Sequence, residues 1–261
     1  MTTLLHVVRR TAVNCVAELR GAYTLKTWVF GWLVRMLAQV TFFALVGRLV
    51  GTPDAVRYLA VGNAVVLACL ESTIVVLSVN DERAQGTLPL LAASPVGHTP
   101  VFLARGLQWA ATGMVSSTVA LLAVPAVLGV QYPVDRLLAA LPVVWLVGLA
   151  SYGYGCALAG LVLRFGRIDW LVLNVGYLLV MTLAGVNVPV AFWPGWLSWV
   201  AEILPVTHGL AAVRAVLDGT PGVLGGVVLE AAVGLAWLVV AYAGHRRFIA
   251  AGRRRGTIEF G

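Results

Sequence analysis

The residues of this chain best suited to chemistry lie between two long apolar runs, in a short stretch from Asn80 to Pro95 that we call the polar segment. Its charged and amide side chains at Asp81, Glu82, Arg83 and Gln85 need water or a protein partner, because lipid offers them no hydrogen bonds. Leucines three residues apart then add a small apolar face, and a proline at position 95 ends the segment. A short helix with charge at its start and one apolar side predicts docking into a groove of another protein.

Residue sets for catalysis or metal binding are missing from the sequence. No Gly-x-x-x-x-Gly-Lys-Ser/Thr loop occurs, and Lys26 is the only lysine, so ATP cannot bind by that route. No two histidines pair inside an apolar run, which argues against an intramembrane metal or haem. Ser116 and Ser117 lack the Gly-x-Ser-Gly context of a membrane serine protease. We therefore expect no catalytic residue, no metal site and no cofactor in this chain.

The composition is that of an integral membrane protein. Hydrophobic residues make up 60% of the 261 positions and charged residues 11%, with a mean hydropathy of +0.92, whereas soluble domains carry roughly 25% charged residues. A membrane-spanning helix needs about 20 apolar residues. Six runs qualify and predict an all-α fold with six transmembrane helices: 28–49, 58–79, 100–129, 136–163, 168–187 and 223–245.

The basic residues predict how the chain is oriented. Thirteen of the eighteen lie on the side of the polar segment and both termini, four lie in the opposite loops, and Arg35 lies inside the first run. Cytoplasmic loops of membrane proteins carry such an excess. We therefore expect a multi-pass protein of the cell (inner or plasma) membrane with both termini in the cytoplasm. The net charge of +7 then indicates contact with membrane lipid, and no nucleic-acid partner is expected.

Three further segments complete a single transmembrane domain over residues 1–261. Residues 2–24 alternate apolar and basic positions at helical spacing, which predicts an amphipathic helix lying in the inner interface; a frayed polar leader is the alternative. Residues 188–221 hold four prolines and three closely spaced tryptophans, too broken for one span and too apolar for a free loop. They predict two short helices that dip into the outer leaflet. Residues 246–261 form a basic cytoplasmic tail.

Charged residues inside apolar runs are candidates for function or for special structure. Arg35 lies nine residues from the cytoplasmic Lys26, and Glu71 lies nine residues from the cytoplasmic Asn80, which places both about 13 Å deep at 1.5 Å per residue. We expect an ion pair between them, because a lone charge at that depth is costly. The alternative is that Arg35 extends towards the interface while Glu71 is neutral or faces a wet cavity.

Two strings carry a resemblance to a known family. An acidic residue followed by Gly86-Thr87-Leu88, a leucine pair and Ser94-Pro95 is similar to the first cytoplasmic loop of ABC-2-type exporter permeases. The string from Pro194 to Arg214, with Ala201-Glu202-Ile203-Leu204-Pro205 at its centre, resembles their re-entrant helical pair. The resemblance covers essentially the whole chain, and within the family (the type V exporter fold) it is nearest to daunorubicin/doxorubicin-type drug permeases.

The resemblance implies a transport subunit, not an enzyme, in a complex of two permease copies, identical or different, and two ATPase subunits that bind ATP and Mg. It makes residues 80–96 a coupling loop, with contacts at Asp81, Glu82, Arg83, Gln85, Gly86, Thr87, Leu88, Leu91, Ser94 and Pro95. It implies a re-entrant gate at Trp193, Pro194, Trp196, Trp199, Glu202, Pro205 and Arg214. A substrate path between the copies would involve the second and fifth spans, at Leu67, Leu70, Ile74, Leu173, Tyr177 and Met181.

The expected cargo is an amphipathic or hydrophobic small molecule such as a drug, a natural product or a lipid, because the runs contain few charges. A permease for polysaccharide or glycolipid is one alternative. A second is a membrane assembly or regulatory subunit, or a membrane enzyme, which would not stimulate a partner ATPase. A third is a channel or carrier that works without an ATPase; paired broken helices in two inverted halves would favour it, and the sequence shows one such break.

Overall fold

The structure is a computed structural model that describes residues 24–87 and 98–255, without the side chains of His98, Arg105 and residues 252–255. The leader segment up to residue 23, residues 88–97 and residues 256–261 lie outside the described residues. The predicted interfacial helix and the predicted coupling contacts at Leu88, Leu91, Ser94 and Pro95 therefore stay predictions.

The described residues form helices and connecting turns, with no strand among them, which confirms the predicted all-helical class. The apolar helices are numbered here in chain order. They are α1 (Leu25–Val50), α2 (Pro53–Ala84), α3 (His98–Arg105), α4 (Leu107–Val127), α5 (Val134–Phe165), α6 (Asp169–Leu183), α7 (Gly195–Ile203), α8 (Thr207–Asp218) and α9 (Val223–Arg255).

Five stretches are long and apolar enough to cross a membrane: α1, α2, α3 with α4, α5 and α9. The fifth predicted span, 168–187, is shorter than expected. Its helix α6 has 15 residues, about 22 Å at 1.5 Å per residue, whereas the hydrocarbon core of a bilayer is about 30 Å thick. Gly185, at φ +78°, turns the chain directly after α6, and an extended segment around Pro189 follows. The helices α7 and α8 pass the span test together but are bent by 85°.

Helix α2 lies at the centre of the subunit. In its apolar stretch 89% of the residues are buried, against 22% in α1 and 11% in α9, which lie at the periphery. Small residues allow the close packing: a Cβ on Gly113 of α4 would lie 2.9 Å from the carbonyl oxygen of Ala68 in α2. Gly47 of α1 approaches the backbone of Ala55 and Val56 equally closely. Tight packing of small residues is how helices associate when lipid removes the hydrophobic driving force.

The bundle has two ends, which we call proximal and distal. The proximal end carries the polar segment at the end of α2 and the carboxyl end of α5. The distal end carries the turn at Gly51, the loop 128–133 and the bent pair α7–α8. Helix α2 connects them: it begins with Thr52, whose hydroxyl accepts a hydrogen bond from the Ala55 amide at 3.2 Å. It continues through a 3-10 turn at Ile74–Val76 to Ala84.

Candidate functional site

The described part of the polar segment, residues 80–87, begins as the last turn of α2. Residues Ser78–Ala84 are helical, and Gly86, at φ +67°, ends the helix in the left-handed region that glycine tolerates. Asp81 and Gln85 are exposed. Glu82, in contrast, is 2% exposed, so its side chain is buried within this subunit.

Arg83 joins the polar segment to the carboxyl end of α5. Its guanidinium donates hydrogen bonds to the carbonyl oxygens of Val162 at 3.2 Å and Leu163 at 2.9 Å. The last carbonyls of a helix have no partner within the helix, and a cation there also interacts favourably with the helix dipole. The sequence predicted Arg83 as a contact for another protein; the structure shows that its guanidinium binds α5 of the same chain. A movement of the polar segment would therefore reach α2 and α5 together.

The predicted ion pair between Arg35 and Glu71 is not formed. Arg35 is exposed, and its guanidinium carbon lies 5.4 Å from the centre of the Trp32 ring. Glu71 is 1% exposed. Helix α1 packs on its neighbours through Met36, Val40 and Ala44, which are spaced four residues apart. Arg35 does not lie on that face. Arg35 and Glu71 were predicted at the same depth, but Arg35 lies on a face of α1 that does not pack against α2.

Glu71 has a polar surrounding of its own inside the bundle. The side chains of Trp32, Thr112 and Ser116 lie around its carboxyl group, so α1 and α4 both contribute to the site. Gly113 of α4 packs against the Cβ of Glu71. The carboxyl group thus lies where three helices meet, and no metal-binding arrangement accompanies it: the described parts of the chain hold no cluster of three or more His, Cys, Asp or Glu side chains.

The predicted path residues lie at different depths in the subunit. Leu67 and Leu173 are buried, whereas Leu70, Ile74, Tyr177 and Met181 are half-buried. The hydroxyl of Tyr177 accepts a hydrogen bond from Gln39 of α1 at 3.1 Å, which links α1 to α6. In this conformation the surfaces that a second copy or a substrate could reach belong to the half-buried members of the set.

The bent pair places its tryptophans at the surface. Trp196 and Trp199 of α7 are exposed, Trp193 is half-buried, and Pro205 is buried in the turn between the helices. At that turn Val206 has φ +81°, a left-handed conformation that a β-branched residue rarely adopts and that costs free energy. Glu202 is exposed and forms an ion-pair contact of 3.3 Å with His208 when the histidine is protonated.

Glu230 of α9 holds this strained turn, a role that its sequence position did not indicate. It is fully buried. One carboxyl oxygen accepts the backbone N–H of Val206 and the other accepts that of Gly209, both at 2.8 Å. These groups lie at the start of α8, where backbone N–H groups have no partner within the helix. A Cβ on Gly209 would lie 3.0 Å from the Cγ of Glu230, so glycine leaves the room for this contact.

Arg214 ties the bent pair to two other elements at the distal end. It donates to the carbonyl oxygens of Gly185 at 2.9 Å and Tyr58 at 3.1 Å, and it stacks on the Tyr58 ring at 3.6 Å. The Tyr58 hydroxyl donates to the same Gly185 carbonyl at 2.6 Å. Helix α8, the start of α2 and the turn after α6 are thereby joined. The predicted gate residue Arg214 thus has a defined structural role in the distal network.

A family model described as "ABC-2 type transporter" matches residues 21–217, which is most of the chain. The matched region includes the polar segment, the bent pair and Arg214, and it ends before α9. A search of curated proteins found no significant relative.

Proposed function

Because the chain belongs to the ABC-2 type transporter family, we propose that it is the membrane-spanning permease of an ATP-driven exporter. The family is that of a transmembrane permease and not of a catalytic ATPase domain, and its members normally act with an ABC ATPase. The chain itself has no phosphate-binding loop. Hydrolysis of ATP would therefore take place on a separate subunit that binds ATP and Mg, and this chain would convert the resulting movement into transport.

The observation that carries this proposal is the construction of the proximal end. Asp81 and Gln85 are exposed at the end of the central helix, while Arg83 binds the end of α5. In our proposal the ATPase binds the polar segment at the exposed residues Asp81 and Gln85 and at the predicted contacts Leu88 and Leu91. Its movement is transmitted through α2, which reaches the distal end, and through Arg83 to α5. The orientation that follows has both termini and the proximal end in the cytoplasm.

A second copy of the permease, identical or homologous, would complete the transport path. Helix α6 exposes apolar side chains on one side, including Leu171, Val175 and Leu178, and such a face needs either lipid or another subunit. The half-buried residues Leu70, Ile74, Tyr177 and Met181 would line the path between the copies. This lining is apolar apart from one phenol group, which favours an amphipathic or hydrophobic cargo such as a drug, a natural product or a lipid.

Reconstitution tests this function. The permease is purified from its native membrane to identify any associated ATPase, and both are placed in lipid vesicles with a fluorescent amphipathic dye as the probe. We expect the dye to move in an ATP-dependent manner, and Asp81→Lys to abolish movement while the ATPase alone still hydrolyses ATP. The matched control is Asp135→Lys, an exposed acidic residue at the other end of the bundle. Failure of an ATPase to associate, or equal effects of both variants, would contradict the proposal.

A further inference from the structure

A cavity of about 300 Å³ opens at the distal end, where α2, the loop 128–133 and α8 meet. This volume is at the lower end of the range for small-molecule sites, about 300–1,000 Å³. Its polar lining consists of two acidic, two basic and two phenolic side chains: Asp54, Asp218, Arg57, Arg214, Tyr58 and Tyr132. None of these groups belongs to the polar segment or to the proposed substrate path. Arg214 is also one of the predicted gate residues.

Charges of both signs lie close together around this cavity without direct ion-pair contact between these lining residues. In the described ranges 24–87 and 98–255, neither Asp54 nor Asp218 forms an ion pair with Arg57 or Arg214. Side chains of both signs therefore face one cavity, and their charged groups are not in direct contact with each other. A ligand that carried both signs would satisfy them at once, whereas a simple anion or cation would leave one pair of like charges without a partner.

Arg214 is fixed in place by uncharged groups. Its partners are neutral carbonyl oxygens and the face of the Tyr58 ring, and its buried Nε has no hydrogen-bond partner. A guanidinium held in this way is preorganised for an anion, because little side-chain entropy remains to be lost on binding. Arg136, which donates to the Leu217 carbonyl at 3.0 Å, holds the end of α8 and so positions Asp218.

Tyr132 shows that the charges converge on one point. Burial and the nearby Asp218 carboxylate raise the pKa of its phenol, against smaller opposing effects of Arg57 and Arg214. Three charged groups from two helices thus act on a single loop side chain. At neutral pH the phenol keeps its proton and can donate a hydrogen bond to an anionic group in the cavity.

We propose that this cavity binds a zwitterion the size of a phospholipid headgroup, with its phosphate near Arg57 and Arg214 and its ammonium group near Asp54 and Asp218. Such a ligand would bridge α2 and α8 and hold the bent pair against the central helix. The same chemistry is offered by a phosphatidylethanolamine of the distal leaflet and by free phosphoethanolamine in solution. The proposal does not depend on the coupling role of the proximal end.

Binding to the purified full chain in a non-ionic detergent tests the proposal. The probes are phosphoethanolamine, a short-chain phosphatidylethanolamine, a short-chain phosphatidylglycerol and inorganic phosphate, measured by titration calorimetry and by thermal unfolding. We expect saturable binding and a raised Tm with one or both amine-bearing probes. Asp54→Asn and Arg57→Gln should each weaken it about tenfold, because each removes one charge-assisted contact. Asp54 and Arg57 are exposed, so both variants should fold.

The controls are Asp135→Asn and Arg164→Gln, which remove exposed charges elsewhere on the subunit and should bind like the unchanged chain. Binding of the lipid probe alone would support the site and identify the lipid as its source. Binding of both amine-bearing probes would support recognition of the headgroup itself. Equal binding of phosphate or phosphatidylglycerol would overturn the zwitterion assignment. Absence of saturable binding, or equal loss in the control variants, would overturn the site.

Discussion

Replacement of Glu230 tests how the bent pair keeps its shape. Its two carboxyl oxygens accept the N–H groups of Val206 and Gly209, each at 2.8 Å, in a fully buried position. A buried donor that loses its partner costs about 1–3 kcal/mol. Glu230→Gln keeps one acceptor and turns an N–H₂ group towards a second donor, so we expect a local loss of about 2 kcal/mol. Glu230→Ala loses both acceptors and should cost about 4 kcal/mol.

Hydrogen exchange measured by mass spectrometry locates the effect. A local loss of about 2 kcal/mol should speed exchange of the amides at residues 206–209 roughly 30-fold in the Gln variant, while exchange in the central helix α2 stays unchanged. The matched control is Leu229→Ala, which alters an exposed neighbour on the same helix and should leave these amides protected. Unchanged exchange at residues 206–209 in a folded Glu230→Gln protein would refute the role of Glu230.

Three further changes follow from the packing. Arg83→Gln removes the guanidinium contacts with the end of α5 and should lower the free energy of unfolding by about 1–3 kcal/mol. In the complex with an ATPase, this variant should lower transport more than ATP hydrolysis. A proportional loss of both would argue against transmission through Arg83. Gly113→Val inserts a side chain where even a single added Cβ would lie 2.9 Å from the α2 backbone. The Tm in detergent should therefore fall by an amount equivalent to about 1–3 kcal/mol. An unchanged Tm would mean that α2 and α4 pack less closely than described. Arg35→Gln should change the free energy of unfolding by no more than about 0.5 kcal/mol, because Arg35 is exposed and does not pair with Glu71. A large loss of stability that the second substitution Glu71→Gln reverses would be evidence that the two residues do form an ion pair.

The sequence was sufficient for the helices that depend on apolar composition. Five of the predicted runs correspond to α1, α2, α3 with α4, α5 and α9, because a span is defined by the length of an apolar stretch and needs no knowledge of its neighbours. The fifth run was predicted too long. Gly185, with its positive φ, turns the chain directly after Leu183, and such a turn is local geometry that hydropathy does not register.

The candidate contacts were harder to predict, since they depend on which way each helix face turns. Equal depth suggested that Arg35 and Glu71 meet, but the packing face of α1 leaves Arg35 outside. The charges of the polar segment predicted partner contacts at Glu82 and Arg83, but not that Glu82 is buried or that Arg83 binds the end of α5. Glu230 could have been suspected as a lone acid in an apolar run. Its target, the turn at Val206, becomes visible only when α9 is placed beside the bent pair.

The most direct measurement of the central claim is site-specific photo-crosslinking in native membranes. A photoreactive amino acid replaces Gln85, which is exposed on the polar segment, and, as the positional control, Asp135 at the distal end. The proposed function predicts that the probe at Gln85 becomes linked to a separate polypeptide with a nucleotide-binding loop, and that the probe at Asp135 does not. Absence of that product at Gln85, or the same product from both positions, would contradict the claim that this segment is held by an ATPase.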